Sequence, residues 1–165
     1  MRLAFAVLTL SLAACADEPD PREKAAADAA AVAEVKANQE APPENLVPEA
    51  IVYADIEKAG LFGAGCNFVA AGAGTDAIVL AQADMGYMKR SDEIVAFAPD
   101  KGSANNPVGS WRKYDGKDNS LVLEINQQNG RQSGMETVDF AAELTVRDGK
   151  DRVVYHADGT AQCGA

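Results

Sequence analysis

The chain has 165 residues and a formal net charge of −10, with 25 acidic residues against 15 basic ones. That balance excludes nucleic acid as a partner, which needs a basic stripe, and electrostatic docking on anionic lipid. With one histidine and three cysteines, a histidine-based zinc cluster or a His–His relay is excluded too, and no metal or cofactor is expected.

Met1-Arg2 make a short positive start, and Leu3 to Leu12 (LAFAVLTLSL) carry no charge. As a helix that run spans about 15 Å, half the hydrocarbon thickness of a bilayer, so it reads as a secretory leader rather than a membrane-spanning segment. Leu12-Ala13-Ala14-Cys15 follows, and the composition then switches at once to ADEPDPRE. The LAAC tetrapeptide resembles the bacterial lipobox read by lipoprotein signal peptidase. The resemblance implies a signal peptide over residues 1–14, cleavage before Cys15 and a lipid on its thiol. The membrane would then be a partner through the anchor alone, each buried CH₂ contributing about 0.8 kcal/mol. An ordinary leader with an incidental Cys15 is the alternative. Ala16 stands where an aspartate would resemble the inner-membrane retention signal, so an outer-membrane, periplasm-facing placement is expected. The mature chain would hold 14 basic and 25 acidic residues, a net −11, which favours solubility.

If Cys15 carries lipid, Cys66 and Cys163 remain as an even pair in a disulfide-permissive compartment. A Cys66–Cys163 bridge is then expected, against the alternative of two reduced, buried thiols. It would close a loop of nearly the whole domain, worth about 4.7 kcal/mol in the chain-entropy account.

Residues 15–45 read as an acidic tether. Asp20 as N-cap, Pro21 at the first helical position and Glu23 two residues on form a helix start, and KAAADAAAVAEVKANQE continues it until Pro42-Pro43. Val32 and Val35 are its only large apolar residues, too few for a coiled-coil seam. A solvated helical spacer and a monomer are expected.

Residues 46–165 suffice for one domain with one core. Residues 48–59 fit a helix with Gly60 as C-cap or, through IVYAD, a strand. Beyond Gly60 the signals are β: apolar runs at 67–70 and 77–81, a turn at 84–86, strands over 87–89, 93–97, 110–114 and 120–126. Leu121, Leu123 and Ile125 share one face at period 2. Asp115-Gly116-Lys117-Asp118 recurs as Asp148-Gly149-Lys150-Asp151 between AELTVR and RVVYH, where Leu144 and Val146 should face Val153 and Tyr155 across a hairpin. Asp-Gly should supply its positive φ. The pair lacks the alternating ligands of a calcium loop. Eight or so short strands without helical crossovers predict a mainly β fold, a small antiparallel barrel or sandwich, stapled from first strand to last.

Little here reads as catalytic. His156 should point outward, and no serine sits in a G-x-S-x-G elbow. Cys66 with His156 would make a thiol nucleophile only if the cysteine were free. GAGC (63–66) and AGAGTD (71–76) lack the pattern of a nucleotide loop. Asp115 with Asp118, or Glu136 with Asp139, would make a glycosidase pair only through folding. Trp111-Arg112-Lys113-Tyr114 is a dense aromatic–cationic cluster of the kind binding hot spots favour, although alternation would bury two of the four.

An exported, lipid-anchored β domain with a cysteine near each end resembles the membrane-bound inhibitors of c-type lysozyme. In that family a β-barrel carries a Ser-Ala-x-Gly-x-Arg-Tyr loop that plugs the lysozyme cleft. Here Ser103-Ala104 is followed, after an Asn105-Asn106-Pro107-Val108 insertion that breaks the spacing, by Gly109-Ser110-Trp111-Arg112-Lys113-Tyr114. The resemblance implies that Ser103 and Arg112 or Lys113 approach acidic groups of the enzyme. An acidic domain, with 11 basic and 17 acidic residues over 46–165, suits a basic partner. The expected function is therefore a non-enzymatic envelope lipoprotein that binds a protein. An envelope hydrolase and a passive structural component are the alternatives.

Overall fold

The computed structural model describes residues 20–39 and 41–165. The predicted leader and the lipid acceptor Cys15 lie outside the described residues. The chain divides into two compact units at Pro42/Pro43. In the first, α1 (Pro21–Gln39) begins where the sequence places its cap. The Asp20 carboxylate accepts from the Arg22 N–H at 2.8 Å, and the Asp20 carbonyl accepts from Lys24 N–H at 2.9 Å. Capping by Asp is worth about 1 kcal/mol. None of its residues is buried, and Val32 and Val35 are exposed. Among the described residues no helix is long and apolar enough to cross a membrane.

The second unit is an antiparallel β-barrel. Its strands are β1 (Gly65–Ala70), β2 (Val79–Gln82), β3 (Gly86–Arg90), β4 (Glu93–Pro99), β5 (Lys113–Asp115), β6 (Asn119–Ile125), β7 (Arg131–Gln132), β8 (Val138–Asp148) and β9 (Val153–Gly164). Neighbours run β6-β5-β4-β3-β2-β1-β9-β8, and β6 pairs with β8 to close eight strands into a ring. The two-residue β7 adds to β8 beside it. Of the two expected architectures, the barrel is therefore the one formed. Closure leaves few backbone groups for edge pairing.

Period-2 alternation fills the interior. Phe68, Met88, Phe97, Tyr114, Leu121, Leu123, Leu144 and Val146 are all at most 1% exposed. Fully burying each such side chain is worth about 1.5–3 kcal/mol. The filled interior has consequences for backbone. At Gly116 a Cβ would lie 2.7 Å from a Phe97 ring carbon, so the turn must carry glycine there.

Residues 48–59 are neither wholly helix nor wholly strand. Glu49 and Ile51 form single bridges to Lys89 and Ala77, and α2 (Tyr53–Ala59) follows, ending on Gly60 in the left-handed region (φ 67°). The Asp55 carboxylate accepts the Val52 N–H at 3.0 Å, holding the first turn. A second apolar cluster, Ile51, Leu61 and Leu80 with Ile56, Ala77, Tyr87 and Ile94, lies on the outer wall of β2–β4. It explains why β2 is apolar on both faces. Leu46, 4% exposed, joins the barrel core instead, its N–H bonded to the Val154 carbonyl at 3.2 Å.

Two local expectations need correction. In the β8–β9 hairpin Val146 faces Tyr155 as expected, but Leu144 faces Ala157, and an irregularity at Val146/Arg147 sets Arg147 opposite Val153. Val153 consequently points outward, 45% exposed, while Val154 packs on the core. The positive φ of that turn falls on Asp151 (62°), not on Gly149. The expected strand over 110–114 shrinks to β5, because Ser110 and Trp111 belong to the preceding loop. The bridge between Cys66 and Cys163 is present, joining directly opposed residues of β1 and β9.

Candidate binding loop at the barrel end

The segment between β4 and β5 is a loop tied to the barrel at many points. Its base is closed by Asp100 N–H to the Lys113 carbonyl (2.9 Å) and Arg112 N–H to the Ala104 carbonyl (2.9 Å). Ser103 donates its hydroxyl to the Asp100 carbonyl (2.7 Å) and accepts the Lys113 N–H (3.2 Å). Asn106, 8% exposed, donates its amide to the carbonyls of Trp111 (3.1 Å) and Leu123 (2.9 Å). A buried amide with both donors satisfied fixes the loop against β6.

The tip is Pro107-Val108-Gly109. Ser110, fully buried, donates its hydroxyl to the Pro107 carbonyl at 2.8 Å, and Cys66 Sγ lies 3.4 Å from that hydroxyl. The disulfide thus forms the floor beneath the tip. Val108 and Gly109 are both left-handed, at φ 56° and 73°. For a β-branched residue this conformation costs of order 1–3 kcal/mol and persists only where the surroundings impose it. Val108 is also 41% exposed.

The four residues of the aromatic–cationic cluster separate. Tyr114 is interior, 1% exposed, so it supports the loop rather than reaching a partner. Its hydroxyl accepts the Trp111 N–H (2.9 Å) and donates to the Gln82 carbonyl (2.8 Å). Burial raises its pKa, and the Trp111 N–H opposes this weakly. Trp111 is half-buried, its indole N–H bonded to the Ala83 carbonyl at 3.0 Å. Arg112 is exposed and 3.3 Å from Glu124. Lys113 lies 3.0 Å from Asp115 and 3.6 Å from Asp100. The hydrogen bond to Asp115 raises its pKa, and burial opposes this. Neither cation is held by a buried partner, and surface pairs of this kind are worth 0–1 kcal/mol. Both are therefore exchangeable for a carboxylate on another protein.

The residues sequence reasoning did not single out are Asn106, Val108 and Ser110. Asn-Pro and Val-Gly mark a turn, but only the fold shows that it packs on a cystine. As for catalysis, Cys66 is consumed in the bridge and offers no thiolate. Asp139 is bonded to Ser133 at 2.7 Å, and Asp115 and Asp118 of the β5–β6 turn line one surface hollow with Asp148 and Asp151 of the β8–β9 turn. His156 is exposed on β9, as expected.

No family model, curated protein or solved structure matches this chain.

Proposed function

We propose that the protein is an envelope lipoprotein, anchored through Cys15 in the outer membrane and facing the periplasm. Its barrel is a non-enzymatic module that presents loop 103–112 to a protein partner. Inhibition of a c-type lysozyme is its specific form. The preorganised loop tip carries this reading: a solvent-facing Val108 held left-handed by buried Asn106 and Ser110. A loop fixed before encounter spares the ordering entropy that binding otherwise costs. Ser103, Trp111, Arg112 and Lys113 flank it, and the acidic surface suits a basic enzyme.

The detergent-purified exported chain, at micromolar concentration, should slow a c-type lysozyme on cell-wall substrate. Val108→Asp and Arg112→Glu should each weaken inhibition at least tenfold. No effect of the wild-type chain at micromolar excess would overturn the inhibitor reading and favour a passive envelope component. The anchor is tested separately by the mass of the exported N-terminus. Acylated Cys15 is the expected product, and an intact leader without acyl mass refutes it.

A further inference from the structure

The outer face of β8 and β9 brings Glu143 of β8 beside His156 and Asp158, two residues apart on β9. Glu143 is directly opposite Asp158, and Thr145 directly opposite His156, so the four form a square on one face. His156 Nδ1 is 3.7 Å from Glu143 Oε1, and the Thr145 hydroxyl, 3.3 Å away, orients the ring. One ligand atom from each of Glu143, His156 and Asp158 lies within 4.8 Å of the other two, all on exposed side chains.

A second feature of the same face is unfavourable without a cation. Glu124 of β6 is directly opposite Glu143, which is directly opposite Asp158. Three carboxylates thus stand in one cross-strand row, and like charges so placed destabilise a sheet. Arg112 relieves Glu124 alone, at 3.3 Å. The row borders a shallow concavity of about 380 Å³.

We propose that Glu143, His156 and Asp158 form a surface site for a divalent transition cation, with zinc(II) the best match. One imidazole and two carboxylates suit zinc, which takes N and O ligands at about 2.0–2.2 Å with no geometric demand of its own. Small rotations of exposed side chains close the present spacing to that distance. The fourth position stays open to water or to a ligand atom from another molecule. Magnesium and calcium, which prefer oxygen throughout, are poor competitors.

The test uses the full exported chain without an affinity tag, titrated with zinc chloride in metal-free buffer. Calorimetry should show one saturable site in the micromolar range, and the single imidazole should shift in long-range ¹H–¹⁵N spectra. His156→Ala should abolish the saturable phase and Asp158→Asn should weaken it at least tenfold. In the metal-free protein His156→Ala should leave the melting temperature unchanged, because the side chain is exposed, and Asp158→Asn should raise it slightly, because it removes one charge from the row. Glu57→Gln on α2, which removes the same charge elsewhere, should leave binding unchanged. Equal binding by His156→Ala, or equal binding of magnesium chloride, would overturn the proposal and assign the cation to diffuse acidic charge. The absence of any saturable phase would overturn it as well.

Discussion

Tyr114 shows how one interior side chain sets the shape of an outer loop. Its ring fills the barrel core while its hydroxyl joins the Trp111 N–H to the Gln82 carbonyl. Tyr114→Phe keeps the packing and removes both bonds, leaving a donor and an acceptor unpaired in a largely dry environment. A loss of about 1–3 kcal/mol is expected in the free energy of urea unfolding. Val108→Gly should act in the opposite direction. Glycine accepts φ 56° without a Cβ clash, so stability should rise by about 1 kcal/mol, while inhibition of the lysozyme falls as the apolar tip is lost. A melting temperature that drops on Val108→Gly would show that the side chain packs rather than strains. Neither role is legible in the sequence. Alternation says only that two residues of the aromatic–cationic run turn inward, and the pairing of β5 with β6 fixes Tyr114 as the fully buried one.

Among the elements, the β8–β9 hairpin has the most explicit turn chemistry. Asp148 accepts from the backbone N–H of Lys150 (2.9 Å) and Arg152 (3.0 Å), and from Arg152 Nε at 2.8 Å. The Arg152 backbone bond is the largest cause of its lowered pKa, with the Arg152 side chain and Lys150 N–H acting in the same direction against a desolvation that raises it. A carboxyl whose folded pKa lies below its unfolded value of 3.8 stabilises the fold above that pH. The unfolded state then binds more protons, so the contribution is lost as pH falls through the lower folded pKa. Asp55 behaves likewise, through Val52 N–H first and Lys89 second. Urea midpoints measured from pH 5 downward should therefore fall less steeply in Asp148→Asn than in the wild type. Parallel slopes would remove Asp148 from the acid limb.

The turn itself was legible from Asp-Gly flanked by alternating apolar residues, and so were the facing Leu121, Leu123 and Ile125. The irregularity that turns Val153 outward was not, because it depends on the partner strand. The two-residue β3–β4 turn also escaped notice. Ser91 and Asp92 take φ 51° and 62° there without any glycine, helped by Glu49, whose carboxylate accepts the Asp92 N–H at 3.2 Å. The Glu143–His156–Asp158 cluster was equally hidden, since it requires cross-strand register. The helix of the tether, by contrast, is local, and Asp20-Pro21 marks its start.

For the whole molecule, the decisive link is the cystine between Cys66 and Cys163, 97 residues apart in sequence but on strands β1 and β9, which are adjacent in the ring. The double variant Cys66→Ser/Cys163→Ser should lose about 2–5 kcal/mol of unfolding free energy. Reductant should lower the wild-type midpoint towards that of the variant and leave the variant unchanged. A wild type indifferent to the loss would mean that closure by β6 and β8 suffices alone. Barrel closure and the cystine answer the same difficulty, which is that a 120-residue β domain has a thin core. The sequence announced it through cysteine positions and short regular strands, whereas the strand order emerged only from pairing.

The lead-in segment joins the barrel sideways. Leu46, Glu49 and Ile51 bond to Val154, Lys89 and Ala77, at 3.2, 2.9 and 2.7 Å, on three separate stretches of the wall. Tension applied from the amino-terminal side would meet these lateral attachments, with Leu46 in the core and Ile51 in the outer-wall cluster, before any barrel strand. Force along the tether would therefore load this lead-in ahead of the ring.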